Sequence, residues 1–364
     1  MRNIIHVQPA LPKYRIDFFE RLGRHFGSAI RVYYSPGSLG ALTQHVAADW
    51  AIAVGPMHWL PGGICWQPDV ARISLRRDDV VVLSGNPRQI STLILLIRSK
   101  INGARVIWWG HHWSSTSKRW RQILRYLPMA LADALLFYTD EEVAAYESDF
   151  VKFKKHKFIG SLNNGVNIAP IQKMRRPYRA FDRDRALLFI GRLTSKSQLK
   201  LGFDALALLA SAAPKLHIIG DGVESDDLRR YAEKIGIAKK IIWHGALTEE
   251  KSIAQVANQC QAFLYPGEVG LSLIHGMAYG LPAIVHEERL GHMPEIAAFK
   301  EGITGVKFTR GDAASLSNAI NVLLSDENQL NRLAAGTVSV VGPSFSTADM
   351  ARRFINLVDR MEAE

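Results

Sequence analysis

Apolar and polar positions follow two interleaved rhythms along this chain. Short runs of β-branched, aliphatic and aromatic residues predict strands at Ile4-Ile5-His6-Val7, Ile30-Arg31-Val32-Tyr33-Tyr34, Val80-Val81-Val82-Leu83, Arg105-Val106-Ile107-Trp108-Trp109 and Ala134-Leu135-Leu136-Phe137-Tyr138. Helical patterns lie between them. One carries Phe18, Phe19, Leu22 and Phe26 on a single face, and another is the apolar stretch from Ile90 to Ile97. This βαβ alternation implies a parallel sheet with helices on both faces.

The rhythm stops near Asn163-Asn164-Gly165-Val166-Asn167, and a polar, proline-bearing stretch from Gln172 to Arg179 follows. A second alternating set then begins at Ala186-Leu187-Leu188-Phe189-Ile190. It continues through Lys215 to Ile219, Lys240 to Trp243, Ala262 to Tyr265 and Pro282 to Val285. The segment Thr347 to Glu364 is amphipathic, with Phe354, Leu357, Val358 and Met361 on one face. The expected organisation is an α/β protein with an N-terminal domain over 1–170, a second domain over 171–344 and a C-terminal helix over 345–364.

Composition narrows the class. Hydrophobic content of 48% and charged content of 22% over 364 residues suit a globular protein of two domains. The two cysteines, Cys65 and Cys260, form neither a CxxC pair nor a Cys/His cluster and read as small buried residues. The start shows no leader-like apolar region, and the longest apolar stretches are too short to span a bilayer, so a cytoplasmic location is expected. The net charge of +11 is unevenly placed. No Asp or Glu occurs from Val80 to Ala132, while Arg88, Arg98, Lys100, Arg105, Lys118, Arg119, Arg121 and Arg125 do. Lys152 to Lys157 form a second basic cluster. No nucleic-acid motif accompanies this charge, so an anionic membrane surface is the expected partner, and nucleic acid is not.

In open parallel sheets, ligands bind beyond the carboxyl ends of the strands. Four such ends in the second domain carry suitable groups. Gly191-Arg192-Leu193-Thr194-Ser195-Lys196, with Lys200 behind, offers cations for a diphosphate. Ile219-Gly220-Asp221-Gly222 is a tight turn, and His244-Gly245 could meet a base edge. The fourth, Tyr265-Pro266-Gly267-Glu268-Val269-Gly270-Leu271-Ser272, is a Gly-rich turn that opens a helix. Its free N–H groups and dipole favour a phosphate, and Gly267 and Gly270 let the backbone approach it.

Taken in order, Gly-Arg-Leu…Lys, Gly-Asp-Gly, His-Gly and Pro-Gly…Gly-Leu-Ser…Met-Ala-Tyr-Gly-Leu-Pro, the chain resembles the retaining GT-B glycosyltransferases of the family 4 type. The resemblance covers most of 186–310. It extends more loosely to Gly110-His111-His112-Trp113, Tyr138-Thr139 and Asn164-Gly165-Val166-Asn167, and the start Leu11-Pro12-Lys13-Tyr14-Arg15 is similar to bacterial exopolysaccharide and lipopolysaccharide transferases. It implies two Rossmann-like parallel-sheet domains facing a central cleft, with the C-terminal helix crossing back to the first. It also implies a nucleotide-sugar donor, UDP- or GDP-linked, in the second domain, and a glycan or lipid-linked acceptor against the first. Arg192 and a nearby Lys would hold the diphosphate, Gly267 to Ser272 would lie over phosphates and sugar, and His275 would face the ribose.

The family's Glu-x7-Glu pattern falls here on Gly267 and His275. Glu268 or the backbone would then meet the sugar, and His275 would bond a ribose hydroxyl without a charge. The family's Lys falls on Ser197, so Lys196 or Lys200 must take its place. Arg192, Lys196 and the helix N-terminus would stabilise the leaving diphosphate. His111, or the competing His112, would bind a hydroxyl or shuttle its proton. No Asp-x-Asp follows a strand, so neither a metal nor another cofactor is expected. A non-catalytic binding partner of the same fold and a nucleotide-sugar 2-epimerase are the other readings. A dinucleotide-dependent dehydrogenase is disfavoured, because no GxGxxG follows the first strand.

Overall fold

The apolar runs become two parallel sheets in a computed structural model that describes residues 2–36, 46–112, 126–149 and 156–363. Trp113, Lys118, Arg119, Arg121, Arg125 and most of the second basic cluster lie outside the described residues. The chain divides into two compact units, one of 1–163 with 347–364 and one of 164–346.

The first unit contains β1 (Ile4–Gln8), β2 (Ile30–Tyr34), β3 (Ala51–Ala53), β4 (His58–Leu60), β5 (Ile64–Trp66), β6 (Val80–Ser84), β7 (Arg105–Trp109), β8 (Ala134–Phe137) and β9 (Phe158–Ser161). Seven of them form a sheet in the order β3-β2-β1-β6-β7-β8-β9, and β4 and β5 form a separate antiparallel hairpin. Central strands such as β6 and β8 are buried on both faces, which is why they read as unbroken apolar runs. The apolar helix continues past Ile97 and spans Ile90–Ile101.

The second unit contains β10 (Asp184–Ile190), β11 (Lys215–Ile219), β12 (Ile241–Gly245), β13 (Cys260–Leu264), β14 (Ala283–His286) and β15 (Gly305–Phe308), in the order β12-β11-β10-β13-β14-β15. Every pairing in it is parallel. Both cysteines are buried and unbridged.

The division falls between Asn163 and Asn164 rather than at 170/171, and the last segment starts at Thr347 rather than 345. Backbone pairing sets this position. Val166 and Ser346 form a parallel bridge, and a Cβ on Gly165 would stand 2.1 Å from the Phe345 carbonyl oxygen. The helix Thr347–Glu362 then belongs to the first unit. Its Phe354, Leu357, Val358 and Met361 join Phe18, Phe19 and Trp109 in one buried cluster. Replacing Phe354 by Ala should cost about 3–5 kcal/mol of first-unit stability in chemical denaturation. A loss below about 1 kcal/mol would mean that the helix does not complete that core.

Candidate functional site

In the second unit the sheet changes winding direction between β10 and β13, since β10 pairs with β11 on one side and β13 on the other. That switch is where an open parallel sheet leaves a crevice for a ligand. The loops after β10 and β13 flank it, and main-chain bonds lace them to their neighbours. Glu268 N–H donates to the Lys196 carbonyl at 2.9 Å, Leu193 N–H to Asp221 at 3.0 Å, and Gly220 N–H to Gly245 at 2.8 Å.

This lacing accounts for the glycines. A Cβ on Gly220 would lie 1.8 Å from the Gly191 oxygen, one on Gly222 2.3 Å from the Leu193 oxygen, and one on Gly267 2.0 Å from the Lys196 oxygen. The absent side chain of Gly267, read from the sequence as room for an anion, is thus required by the neighbouring loop. Gly270 precedes the helix Leu271–Ala278, which has neither a capping side chain nor an acid in its first turn. The N–H groups at Leu271 and Ser272 and the positive end of the helix dipole therefore stay available.

Arg192 is exposed, and no ion pair holds its guanidinium among the described residues. It lies near Tyr265, whose hydroxyl burial pushes up while Arg192 pulls it down. Lys196 is instead bound to Glu268 at 3.0 Å. Lys200 turns away to Asp227 and lies 5.5 Å from the centre of the Tyr231 ring. The structure therefore brings Arg192, the Lys196–Glu268 pair and the helix N-terminus to one switch point and leaves Lys200 outside it.

His275 has a partner on another helix. Its Nε2 is 3.0 Å from Glu250 Oε1, and Tyr279 donates its hydroxyl to the same oxygen. Burial pushes the Glu250 carboxyl up, but the bonds from His275 and Tyr279 outweigh it, so the net shift is downward. His244 stacks on His217 with Nε2 3.0 Å from Nδ1 of its neighbour, and burial lowers both rings.

A second histidine pair secures the Gly-rich turn. Val269 N–H donates to His292 Nδ1 at 3.2 Å, and His292 Nε2 lies 2.9 Å from the His286 carbonyl. This pattern requires the neutral His292 ring protonated on Nε2. The two rings stack with centroids 3.7 Å apart.

In the first unit, His111 follows β7. Its Nδ1 is 3.1 Å from Oε1 of Glu142, a wholly buried carboxylate that also accepts from the N–H groups of His112 (3.3 Å) and Tyr138 (2.9 Å). A carboxylate only accepts, so the Nδ1 proton faces it and Nε2 is left as an acceptor. The His111 ring stacks on Tyr138 with centroids 4.3 Å apart. His112 is buried. Glu142 escaped the sequence reading because it stands 31 residues from His111. Among the described residues no group of three or more His, Cys, Asp or Glu is placed to hold a metal ion.

Two parallel-sheet units of this order are the α/β fold of GT-B proteins. HepE of Anabaena, solved in complex with UDP, superposes with a TM-score of 0.70 at 14% identity over 99% of this chain and 100% of that one, a likeness of fold alone. Residues 170–337 match the family described as Glycosyl transferases group 1. Lipopolysaccharide 1,6-galactosyltransferase of Salmonella typhimurium (strain LT2) is 28% identical over 152 residues, 40% of this chain and 41% of that protein. EpsD of Bacillus subtilis (strain 168) is 25% identical over 245 residues, 62% of each chain. The chain thus spans less than two thirds of the length of these relatives.

The histidine pair gives the second unit a pH limit. Burial and the neighbouring His292 and Arg310 hold His286 down to about 4. A histidine lowered in the folded state takes up protons more readily when unfolded, so its stabilisation is whole above about pH 6.5 and is lost as pH falls towards 4. Second-unit stability should drop by roughly 2–3 kcal/mol across that window in pH-dependent denaturation, and less in His286→Gln. An identical drop in the variant would exclude this pair as the cause.

Proposed function

We propose that the protein is a retaining, metal-independent glycosyltransferase that moves a hexose from a nucleotide-sugar to a glycan or lipid-linked acceptor in bacterial surface polysaccharide synthesis. The observation that carries this reading is Arg192, without an ion pair among the described residues, at the β10/β13 switch point where an uncapped helix N-terminus also lies. Phosphate is the natural guest of such a place. The match of 170–337 to a glycosyl transferase family, the lipopolysaccharide galactosyltransferase relative, and the UDP and UDP-glucose complexes of the Anabaena protein support it.

Arg192 and the N–H groups of Leu271 and Ser272 would neutralise charge developing on the leaving diphosphate. Lys196 would reach the same oxygens by exchanging its Glu268 partner, or would orient Glu268 towards the sugar. The His275–Glu250 pair would offer a carboxylate to the ribose where the family pattern places one on the helix itself. His111, oriented by Glu142, would receive the acceptor hydroxyl at Nε2. UDP should bind in preference to GDP or ADP, with the same affinity in EDTA. Arg192→Ala should weaken it about ten- to a hundredfold in calorimetry, or roughly 1.4–2.7 kcal/mol. His111→Ala and Glu142→Gln should lower transfer while leaving UDP affinity unchanged. Absence of any nucleotide binding would favour the non-catalytic partner.

The acid-free segment 80–132 supports contact with an anionic membrane. Trp59, Leu60 and Ile64 of the β4–β5 hairpin are exposed, and Arg88 lies beside its turn at Gly63. Ile90, Ile97 and Ile101 are exposed on the helix Ile90–Ile101, and at about 100° per residue they share one narrow face. No helix is long and apolar enough to cross a membrane among the described residues. Vesicles of equal parts phosphatidylglycerol and phosphatidylcholine should bind the protein at low salt. Salt should weaken the binding, and Trp59→Ser with Ile101→Ser should reduce it about tenfold or more. Equal binding to neutral vesicles would remove the anionic surface from this reading.

A further inference from the structure

Arg15 is a charge that the described residues of the first unit leave without a hydrogen-bond acceptor. It is the third residue of the helix Lys13–Phe26 and only 7% exposed. Its guanidinium carbon lies 4.8 Å from the centre of the Trp109 ring and 5.6 Å from that of Tyr14. Among the described residues no acceptor meets it, and its Nη1 is fully buried without a hydrogen bond. The His6 ring, which feels the Arg15 charge, adds no negative charge. His6 is buried, and burial with the Arg15 charge holds it down to about 3.

The helix end compounds the imbalance. Pro12 caps it without a side-chain bond, and the first turn contains no acid. A cation there opposes the helix dipole, and the leading N–H groups add to the positive field. Trp109 Nε1 is a further buried donor without a partner among the described residues. Removing a guanidinium from water is costly; the Trp109 and Tyr14 faces return part of that, and among the described residues no hydrogen-bond acceptor restores the rest. An oxyanion would.

The place is suited to a ligand. β1 pairs with β2 on one side and β6 on the other, so the loop leading to Arg15 leaves the sheet at its winding switch. The Trp109 ring lies 5.7 Å from Tyr138, which stacks on His111. Two aromatic rings therefore separate Arg15 from the histidine oriented by Glu142.

We propose that Arg15, held over the face of Trp109, and the N-terminus of its helix hold a phosphoryl group of the acceptor on the same rim as His111. This rests on the acceptor reading of the first unit. A phosphoryl group suits the site better than a sugar carboxylate because its oxygens can meet both the planar guanidinium fork and the helix N–H groups.

The test is calorimetric binding of inorganic pyrophosphate to the full chain saturated with UDP, so that the second unit is already filled. Binding should appear in the parent and weaken at least tenfold in Arg15→Met. The same variant should melt at or above the parent temperature, since an uncompensated buried charge has been removed. Arg15→Lys should retain part of the binding. Pyrophosphate affinity unchanged in Arg15→Met would overturn the proposal, as would a large drop in its melting temperature that Arg15→Lys repairs without affecting binding. Binding of glucuronate but not pyrophosphate would overturn it as well. If the parent does not bind UDP, the donor reading fails separately, and pyrophosphate binding without UDP, compared between parent and Arg15→Met, still decides the role of Arg15.

Discussion

The close approach of backbone to backbone at the carboxyl ends of the second sheet is the constraint on which the site depends. The carbonyls of Gly191, Leu193 and Lys196 occupy the space that side chains at Gly220, Gly222 and Gly267 would need. Those contacts, with the main-chain bonds that accompany them, hold the loop bearing Arg192 against the turn that opens the helix Leu271–Ala278. An anion site made of main-chain N–H groups gains its strength from donors already in place before the ligand arrives. The glycines here serve the contact between these loops more than they serve access.

The two units treat charge differently. In the second, most ionisable groups near the strand ends have partners: Lys196 with Glu268, His275 with Glu250, Lys200 with Asp227. Arg192 stands apart from these pairs. In the first, Glu142 is wholly buried and accepts from a histidine and two backbone N–H groups, whereas Arg15 meets no acceptor among the described residues. Buried polar groups are ordinarily matched, so the exceptions carry the chemical meaning.

Much of the sheet order was legible because its central strands are buried on both faces and leave continuous apolar runs. β3, β9, β15 and the β4–β5 hairpin were not, being short and of mixed or small residues such as Ala51-Ile52-Ala53 and Gly305-Val306-Lys307-Phe308. The unit boundary was placed by proline and polarity, but the pairing of Val166 with Ser346 sets it, and that contact spans most of the second unit in sequence. Arg192, Lys196 and the Gly-rich turn could be named from strand ends alone. Their partners could not. Glu250 stands 25 residues from His275 and Glu142 31 from His111, distances over which one-dimensional patterns say nothing about contact.

The laced loops also constrain how such a protein can change. A loop whose carbonyl fills the place of a neighbour's missing Cβ cannot be lengthened or shortened without opening the whole rim. Insertions, the ordinary route by which α/β proteins acquire new ligands, are closed to the segments at Gly191 to Ser197 and Pro266 to Gly270. Divergence at this rim of the second unit must then proceed by exchange of single side chains around a fixed frame, at positions such as Glu268 and His275.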